Sequence, residues 1–153
     1  MKLILYRLQD SVLKPIHNSV ARILNHERGW SRAGLVFEEG EPAEVAIVAD
    51  SDDPYWQALP SGIGWMGFAH CAAFNSRAPY KIDTIVVRYQ SFLYNHFILN
   101  HELGHVFGLD HTPDGLMGCK QSFPTDEEVE QVREIFAEEL TEDASLAPEN
   151  EDD

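Results

Sequence analysis

One eleven-residue stretch of the chain imposes a specific local geometry on any fold that contains it. It reads HELGHVFGLDH from His101 to His111, which is the pattern H-E-x-x-H-x-x-G-x-x-H. On a helix, positions i and i+4 share one face and lie about 6 Å apart along the axis, so His101 and His105 can reach one cation. Gly108 can adopt a positive φ, which ends the helix and turns the chain back. That turn would bring His111 in as a third imidazole.

These residue types predict a catalytic zinc centre rather than a structural one. Three protein ligands, His101, His105 and His111, leave the fourth position of a tetrahedral zinc ion to water. Glu102 follows the first ligand and can take a proton from the zinc-bound water as it attacks a carbonyl carbon. The same carboxyl can then deliver that proton to the leaving amine. The pattern therefore predicts a hydrolase with one catalytic Zn²⁺.

Two other interpretations of the same residues remain open. The first is a zinc-stabilised binding or structural protein with little turnover. The second is a hydrolase that acts on a small amide rather than on a polypeptide. A long cleft beneath a free edge strand would favour peptides, whereas a capped pocket would favour the small substrate.

The composition predicts one globular domain with an acidic C-terminal end. The 153 residues are 44 % apolar, and the net charge is −15. Residues 126–153 hold 13 acidic groups and one basic group, Arg133, for a net charge of 1 − 13 = −12. Nucleic acids and anionic membranes are bound through Lys and Arg, so we expect neither as a partner. We expect the domain over residues 1–140, as a monomer, and an acidic disordered tail over 141–153.

No apolar run is long enough to cross a bilayer, and the apolar segment at the start is too short for a signal peptide. The expected location is therefore cytoplasmic or within a larger assembly that carries the chain. Cys71 and Cys119 are too few for a disulfide scaffold. They could form one bridge, but without an export signal we expect two reduced thiols.

The order of elements predicts an α+β fold, α/β-like, built on one sheet. The predicted strands are residues 3–8, 35–37, 44–49, 65–69 and 82–89. Three helices are predicted: one over residues 12–27 before Gly29, one from an N-cap at Ser91 to residue 107, and one to residue 140 that opens with a capping box between Thr125 and Glu128. Residues 50–64 have loop chemistry. Asp50, Asp52 and Asp53 in that loop could bind Ca²⁺, although loop carboxylates are more often simply solvated.

The extended motif resembles the signature of the metzincin clan of zinc endopeptidases, in which it is followed by a Met-turn. HELGHVFGLDH followed by the sequence DGLM, which ends at Met117, looks most like the matrixins. The resemblance implies that His101, His105 and His111 are the zinc ligands and that Glu102 is the catalytic base. It also implies that Met117 lies in the turn beneath the metal.

The resemblance further implies a single metzincin-type domain. Such a domain has a twisted mixed sheet with an edge strand over the cleft, an active-site helix and a C-terminal helix. The edge strand would bind an extended peptide or protein substrate by backbone pairing, through Trp65, Met66, Gly67, Phe68 and Ala69. The segment from Gly118 to Phe123 would form the wall of the pocket that receives the side chain after the scissile bond.

Overall fold

The sheet formed by the described residues has four parallel strands and one antiparallel strand at its edge. The computed structural model describes residues 1–8, 12–52, 57, 67–70, 82–92 and 97–140. The strands are β1 (Lys2–Leu8), β2 (Leu35–Glu39), β3 (Val45–Ala49), β4 (Gly67–His70) and β5 (Asp83–Val87). Their spatial order is β2-β1-β3-β5-β4, and only the β4–β5 pairing is antiparallel. A strand is present at each predicted place. The described part of the strand predicted over 65–69 is β4, at the edge of the sheet, and the strand predicted over 82–89 is shorter, since β5 ends at Val87 and Tyr89 is already helical.

Helices accompany these strands. Within the described residues they include α1 (His17–Leu24), α2 (Tyr89–Phe92), α3 (Phe97–Phe107) and α4 (Asp126–Ile135). The combination of a mainly parallel sheet with helices confirms the α+β class. Among the described residues, no helix has the length and apolar character needed to cross a membrane.

The core lies between the sheet and the helices, and it fixes the position of α3. All five residues of β3 are buried, whereas β1 alternates, with Ile4, Tyr6 and Leu8 facing inward. Trp30 is fully buried, and its indole N–H donates to the backbone carbonyl of Asn100 at 2.8 Å. Since this bond joins residues 70 positions apart, it fastens α3 to the first half of the chain.

The first helix is shorter than the predicted span of 12–27. Pro15 lies in a 3₁₀ turn over Lys14–Ile16, because proline lacks a backbone N–H and disfavours α-helical geometry in the residue before it. The helix then ends at Leu24 rather than at Gly29. Asn25 stops it, since its amide side chain bonds both the N–H and the carbonyl of Phe37 at 2.9 Å.

The N-cap predicted at Ser91 is wrong. Ser91 lies inside the helix α2, which begins two residues earlier at Tyr89. The Tyr89 N–H donates to the Asp50 carboxylate at 3.1 Å, so the carboxylate at the start of α2 comes from a position 39 residues away. No local pattern around residue 91 could have identified it.

The capping box at the start of α4 is confirmed, with both reciprocal hydrogen bonds formed between Thr125 and Glu128. The helix was predicted to run unbroken to residue 140, but it is interrupted at Phe136 and resumes as one further turn over 137–140. Phe136 packs edge-on against Phe107, with ring centroids 5.4 Å apart. Cys71, Asp53 and the tail over 141–153 lie outside the described residues.

Candidate metal centre

The turn at the end of α3 brings the third histidine of the motif back toward the first two. Gly108 has a φ of 109°, its N–H donates to His105 O at 3.0 Å, and the Leu109 N–H donates to Gly104 O at 2.8 Å. This pair of bonds is a Schellman motif with Gly108 at the C′ position. The chain thereby reverses directly after the helix, as the sequence predicted.

The ring nitrogens of His101, His105 and His111 converge on one point. The Nε2 atom of His105 lies 3.2 Å from Nε2 of His101 and 3.1 Å from Nε2 of His111. Two nitrogens that bind zinc at about 2.1 Å with a tetrahedral angle lie about 3.4 Å apart. The spacing is therefore close to that of a tetrahedral zinc site. Among the described residues, this is the group with the geometry to hold a metal ion.

Backbone carbonyls fix the protonation of two of these rings. His101 Nδ1 lies 2.9 Å from Leu116 O, and His105 Nδ1 lies 2.8 Å from Leu109 O. Because a carbonyl oxygen only accepts, each Nδ1 carries the hydrogen and each Nε2 carries a lone pair. Two lone pairs facing each other at 3.2 Å repel unless a cation lies between them. The donor set therefore fits a metal ion.

The electrostatics of the pair favour the same neutral form. Burial is the largest effect on both rings and lowers the pKa of His101 and of His105, and neighbouring imidazoles lower each pKa further. The carbonyls of Leu116 and Leu109 act in the opposite direction but do not reverse the shift. Neutral imidazole is the form that binds a metal.

Glu102 lies beside this cluster in a nearly closed environment. Its side chain is 7 % exposed, and burial raises the pKa of its carboxyl to about 8 in the metal-free protein. A dication held by the histidines would lower that pKa. A Cβ atom added to Gly67 would lie 3.4 Å from Glu102 Oε2 and 2.9 Å from Val86 O. The edge strand therefore passes directly over the carboxylate, and only a glycine fits at that point.

Met117 packs underneath α3, between the turns that carry the two helical histidines. It is 1 % exposed, and a Cβ atom added to Gly104 would collide with its Sδ atom. The same added atom would lie 3.5 Å from Trp30 Cζ2. Gly104 is thus required by a close approach, although the sequence pattern leaves this position unspecified.

The sequence identified Glu128 only as part of a capping box, but the structure gives it a larger role. Its Oε1 accepts from the N–H groups of Leu116 at 3.0 Å and Thr125 at 2.9 Å, and its Oε2 accepts from the Met117 N–H at 2.8 Å. Gly115, with a φ of 76°, lies so close that an added Cβ atom would be 2.9 Å from Oε1. The sequence offered two separate signals, the Asp-Gly pair that ends at Gly115 and the capping box. Nothing in the sequence indicated that Glu128 bonds to the residues after that pair.

The residues predicted to bind substrate are placed in part. Gly67, Phe68 and Ala69 belong to β4, whereas Trp65 and Met66 lie outside the described residues. A Cβ atom added to Gly118 would lie only 2.6 Å from the carbonyl oxygen of Thr112, so the backbone passes very close to that carbonyl. This close approach indicates a tight turn directly after Met117. The residues after the turn stay near the first histidine, as Cys119 shows.

Cys119 lies in that segment, with its Sγ atom 3.9 Å from His101 Nδ1. It is exposed, and it is a free thiol. Further along, Asn100 Nδ2 donates to Ser122 O at 3.2 Å, which ties the segment to the residue before His101. Asp50, a candidate calcium ligand from the sequence, has one carboxylate oxygen that accepts from the Tyr89 N–H.

No protein-family model matches this sequence, and no curated protein matches it. Solved structures that match include a chain described as the GM1-bound form of the ECX AB5 holotoxin. The two chains superpose with a TM-score of 0.50 and are 10 % identical, over 87 % of this chain and 79 % of that one. At this identity the likeness concerns the arrangement of helices and strands alone.

Proposed function

We propose that this chain is a zinc-dependent endopeptidase of the metzincin type, closest in motif to the matrixins. His101, His105 and His111 hold one Zn²⁺, and Glu102 is the general base. The observation that carries the proposal is the convergence of three histidines beside a buried carboxylate, with the Nε2 atom of His105 3.2 Å from that of His101 and 3.1 Å from that of His111.

Zinc bound by these histidines would supply a Lewis acid for the substrate carbonyl and would lower the pKa of a water molecule to about 7. Glu102 accepts the proton of the attacking water and passes it to the leaving amine. Its burial suits both steps, because a carboxyl whose pKa is raised toward neutrality can take up a proton and release it again. With only 7 % of Glu102 exposed, bulk water has little access to the carboxylate.

The edge position of β4 favours a polypeptide substrate. Among the described residues β4 pairs with β5 alone, so its other side can offer backbone N–H and carbonyl groups to an extended peptide. Gly67 of that strand lies next to Glu102, so a peptide paired with β4 would pass the general base. A small amide would gain nothing from this edge.

The order of elements also supports the metzincin assignment. A mainly parallel sheet with an antiparallel edge strand precedes the histidine-bearing helix, and a buried methionine and a last helix follow it. This is the order that the motif resemblance implies. The whole proposal concerns residues 1–140, with the acidic residues 141–153 as a tail outside the catalytic domain.

The test compares the wild type with Glu102→Gln and His111→Ala. Bound zinc is measured by elemental analysis, and cleavage is measured on an unfolded protein and on a small acylated amino-acid amide. We expect one zinc in the wild type and in Glu102→Gln, with cleavage of the unfolded protein lost by about 10²–10⁴-fold in the latter. His111→Ala should bind zinc far more weakly.

Two other results would each replace the proposal with a rival. If the wild type and Glu102→Gln both bind one zinc and neither cleaves anything, the chain is a zinc-stabilised binding protein. If the wild type cleaves the small amide and leaves the unfolded protein intact, it is a small-amide hydrolase. Removal of zinc with a chelator should abolish cleavage, and added zinc should restore it.

A further inference from the structure

We propose that Glu128 is a positioning residue of the metal centre and that it acts on His101 through the peptide group between Leu116 and Met117. This inference rests on the proposed zinc site. It assigns to a helix-capping residue a second role, in setting the strength with which the first histidine binds the metal.

The peptide group between Leu116 and Met117 is hydrogen-bonded at both ends. Its N–H, from Met117, donates to Glu128 Oε2 at 2.8 Å. Its carbonyl oxygen, from Leu116, accepts from His101 Nδ1 at 2.9 Å. Carboxylate, peptide and imidazole therefore form one continuous chain of hydrogen bonds that ends at the metal-facing Nε2 atom.

These hydrogen bonds should make His101, at the end away from Glu128, a stronger metal ligand. The peptide group is conjugated, so a negative charge at its N–H shifts electron density toward its carbonyl oxygen. A more negative carbonyl accepts a stronger hydrogen bond from Nδ1–H, which makes the imidazole a more basic ligand at Nε2. Carboxylates bonded directly to zinc-binding histidines act in the same way.

Burial preserves the influence of Glu128 on His101 through these hydrogen bonds. His101 is 4 % exposed and Glu128 is 6 % exposed, so little solvent screens the carboxylate from the ring. His105 donates to a different carbonyl, that of Leu109. The influence of Glu128 is therefore directed at the first ligand of the cluster.

Two variants separate this role from helix capping. In Glu128→Gln, Oε1 can keep its bonds to the Leu116 and Thr125 N–H groups. The amide NH₂ then faces the Met117 N–H, so the chain of hydrogen bonds to His101 is broken. In Thr125→Val, the hydroxyl that accepts from the Glu128 N–H at 3.1 Å is lost, but all three bonds to the carboxylate remain. Both variants weaken the start of α4, Glu128→Gln by removing a negative charge from the helix N-terminus and Thr125→Val by removing the side-chain cap. Only Glu128→Gln breaks the chain of hydrogen bonds to His101.

The experiment measures the Zn²⁺ affinity of the metal-free proteins by competition with a chromophoric chelator. The visible spectrum of the Co²⁺-loaded proteins reports the ligand field, which a purely structural role would leave unchanged. We expect Glu128→Gln to lose about 10–100-fold in Zn²⁺ affinity and to shift the Co²⁺ bands. Thr125→Val should stay within about twofold of the wild type.

The inference is overturned if Glu128→Gln binds Zn²⁺ as tightly as the wild type, or if Thr125→Val loses as much affinity. Circular dichroism of the metal-free proteins establishes that each variant is folded. If Glu128→Gln is unfolded, Glu128→Asp takes its place, with an expected affinity loss and Co²⁺ shift because its shorter side chain draws the carboxylate away. A wild type that binds no zinc would instead overturn the proposed function itself.

Discussion

The Nδ1–H of His105 donates a hydrogen bond to the carbonyl oxygen of Leu109, across the turn that Gly108 makes. The carbonyl that orients the second histidine therefore belongs to the same turn that ends the helix and leads to His111. The four consecutive residues 108–111 thus end the helix, orient the second histidine and supply the third. A change in that turn should affect all three together.

Gly108→Ala should therefore weaken zinc binding and stability together. An added Cβ atom would meet nothing within 4 Å, so the cost comes only from the φ of 109°, which disfavours an L side chain. We expect a loss of about 1–2 kcal/mol in the free energy of unfolding, measured with urea, and a lower Zn²⁺ affinity. Gly40→Ala is the control, since its Cβ would make an ordinary 3.6 Å contact with Leu5. Equal effects of the two substitutions would contradict this explanation.

Gly104→Ala should destabilise the protein by packing rather than by backbone strain. The new methyl group would collide with Met117 Sδ in a fully buried position, and overpacking typically costs about 1–3 kcal/mol. Met117→Ala alone should also destabilise, because it leaves a cavity. In the double variant the methyl group has room, so the combined loss should be smaller than the sum of the single losses. Strict additivity of the urea-unfolding free energies would show that the two residues do not compete for space.

The stability of the metal-free protein should depend on pH through Glu102. Burial raises the pKa of this carboxyl from 4.5 to about 8, so between these values the native protein binds more protons than the unfolded chain. The unfolding free energy of the wild type should then fall as pH rises through this window, by up to about 1.4 kcal/mol per pH unit relative to Glu102→Gln. Urea unfolding at several pH values, with a chelator present, measures the difference. A difference that is constant from pH 4.5 to 8 would mean that the carboxyl is already ionised in the native protein.

Gly67→Ala should impair hydrolysis while leaving zinc binding intact. Its Cβ atom would lie 2.8 Å from Ile98 Cγ2 and 2.9 Å from Val86 O, so β4 must move away from both β5 and Glu102. We expect kcat/KM on an unfolded protein to fall about 10-fold or more, because a displacement of about 1 Å at a reacting centre is costly. Bound zinc should remain at the wild-type value. If bound zinc falls together with kcat/KM, the substitution disturbs the fold as a whole and not only the position of β4.

The local parts of this structure could be predicted from the sequence. The spacing of His101, His105 and His111, the role of Gly108 and the capping box of Thr125 with Glu128 all depend on residues within one or two turns of one another. Such relationships are set by helix geometry, which is the same in every fold. The strands were predictable because each is a short apolar or alternating run, and burial of such a run depends on neighbouring positions in the sequence.

The parts that could not be predicted depend on residues far apart in the chain. Asp50 accepts from Tyr89 at the start of α2, Asn25 ends α1 by bonding to Phe37, and Glu128 holds the peptide group beside Met117. Each partner lies 11 to 39 positions away, so it becomes a neighbour only after the sheet and helices have packed. A sequence shows the side chain that can bond but not the backbone group that it will meet.

The three histidines of the proposed site are contributed by only eleven consecutive residues. A loop this short closes at little entropic cost, so the unfolded chain would also bind Zn²⁺ with some affinity through the same three rings. A ligand stabilises the native state only by the difference between its affinities for the folded and unfolded chains. Zinc should therefore raise the melting temperature by less than its affinity for the folded protein would indicate. The hydrogen bonds that His101 and His105 donate to the carbonyls of Leu116 and Leu109 orient the rings in the folded chain and contribute to the remaining difference.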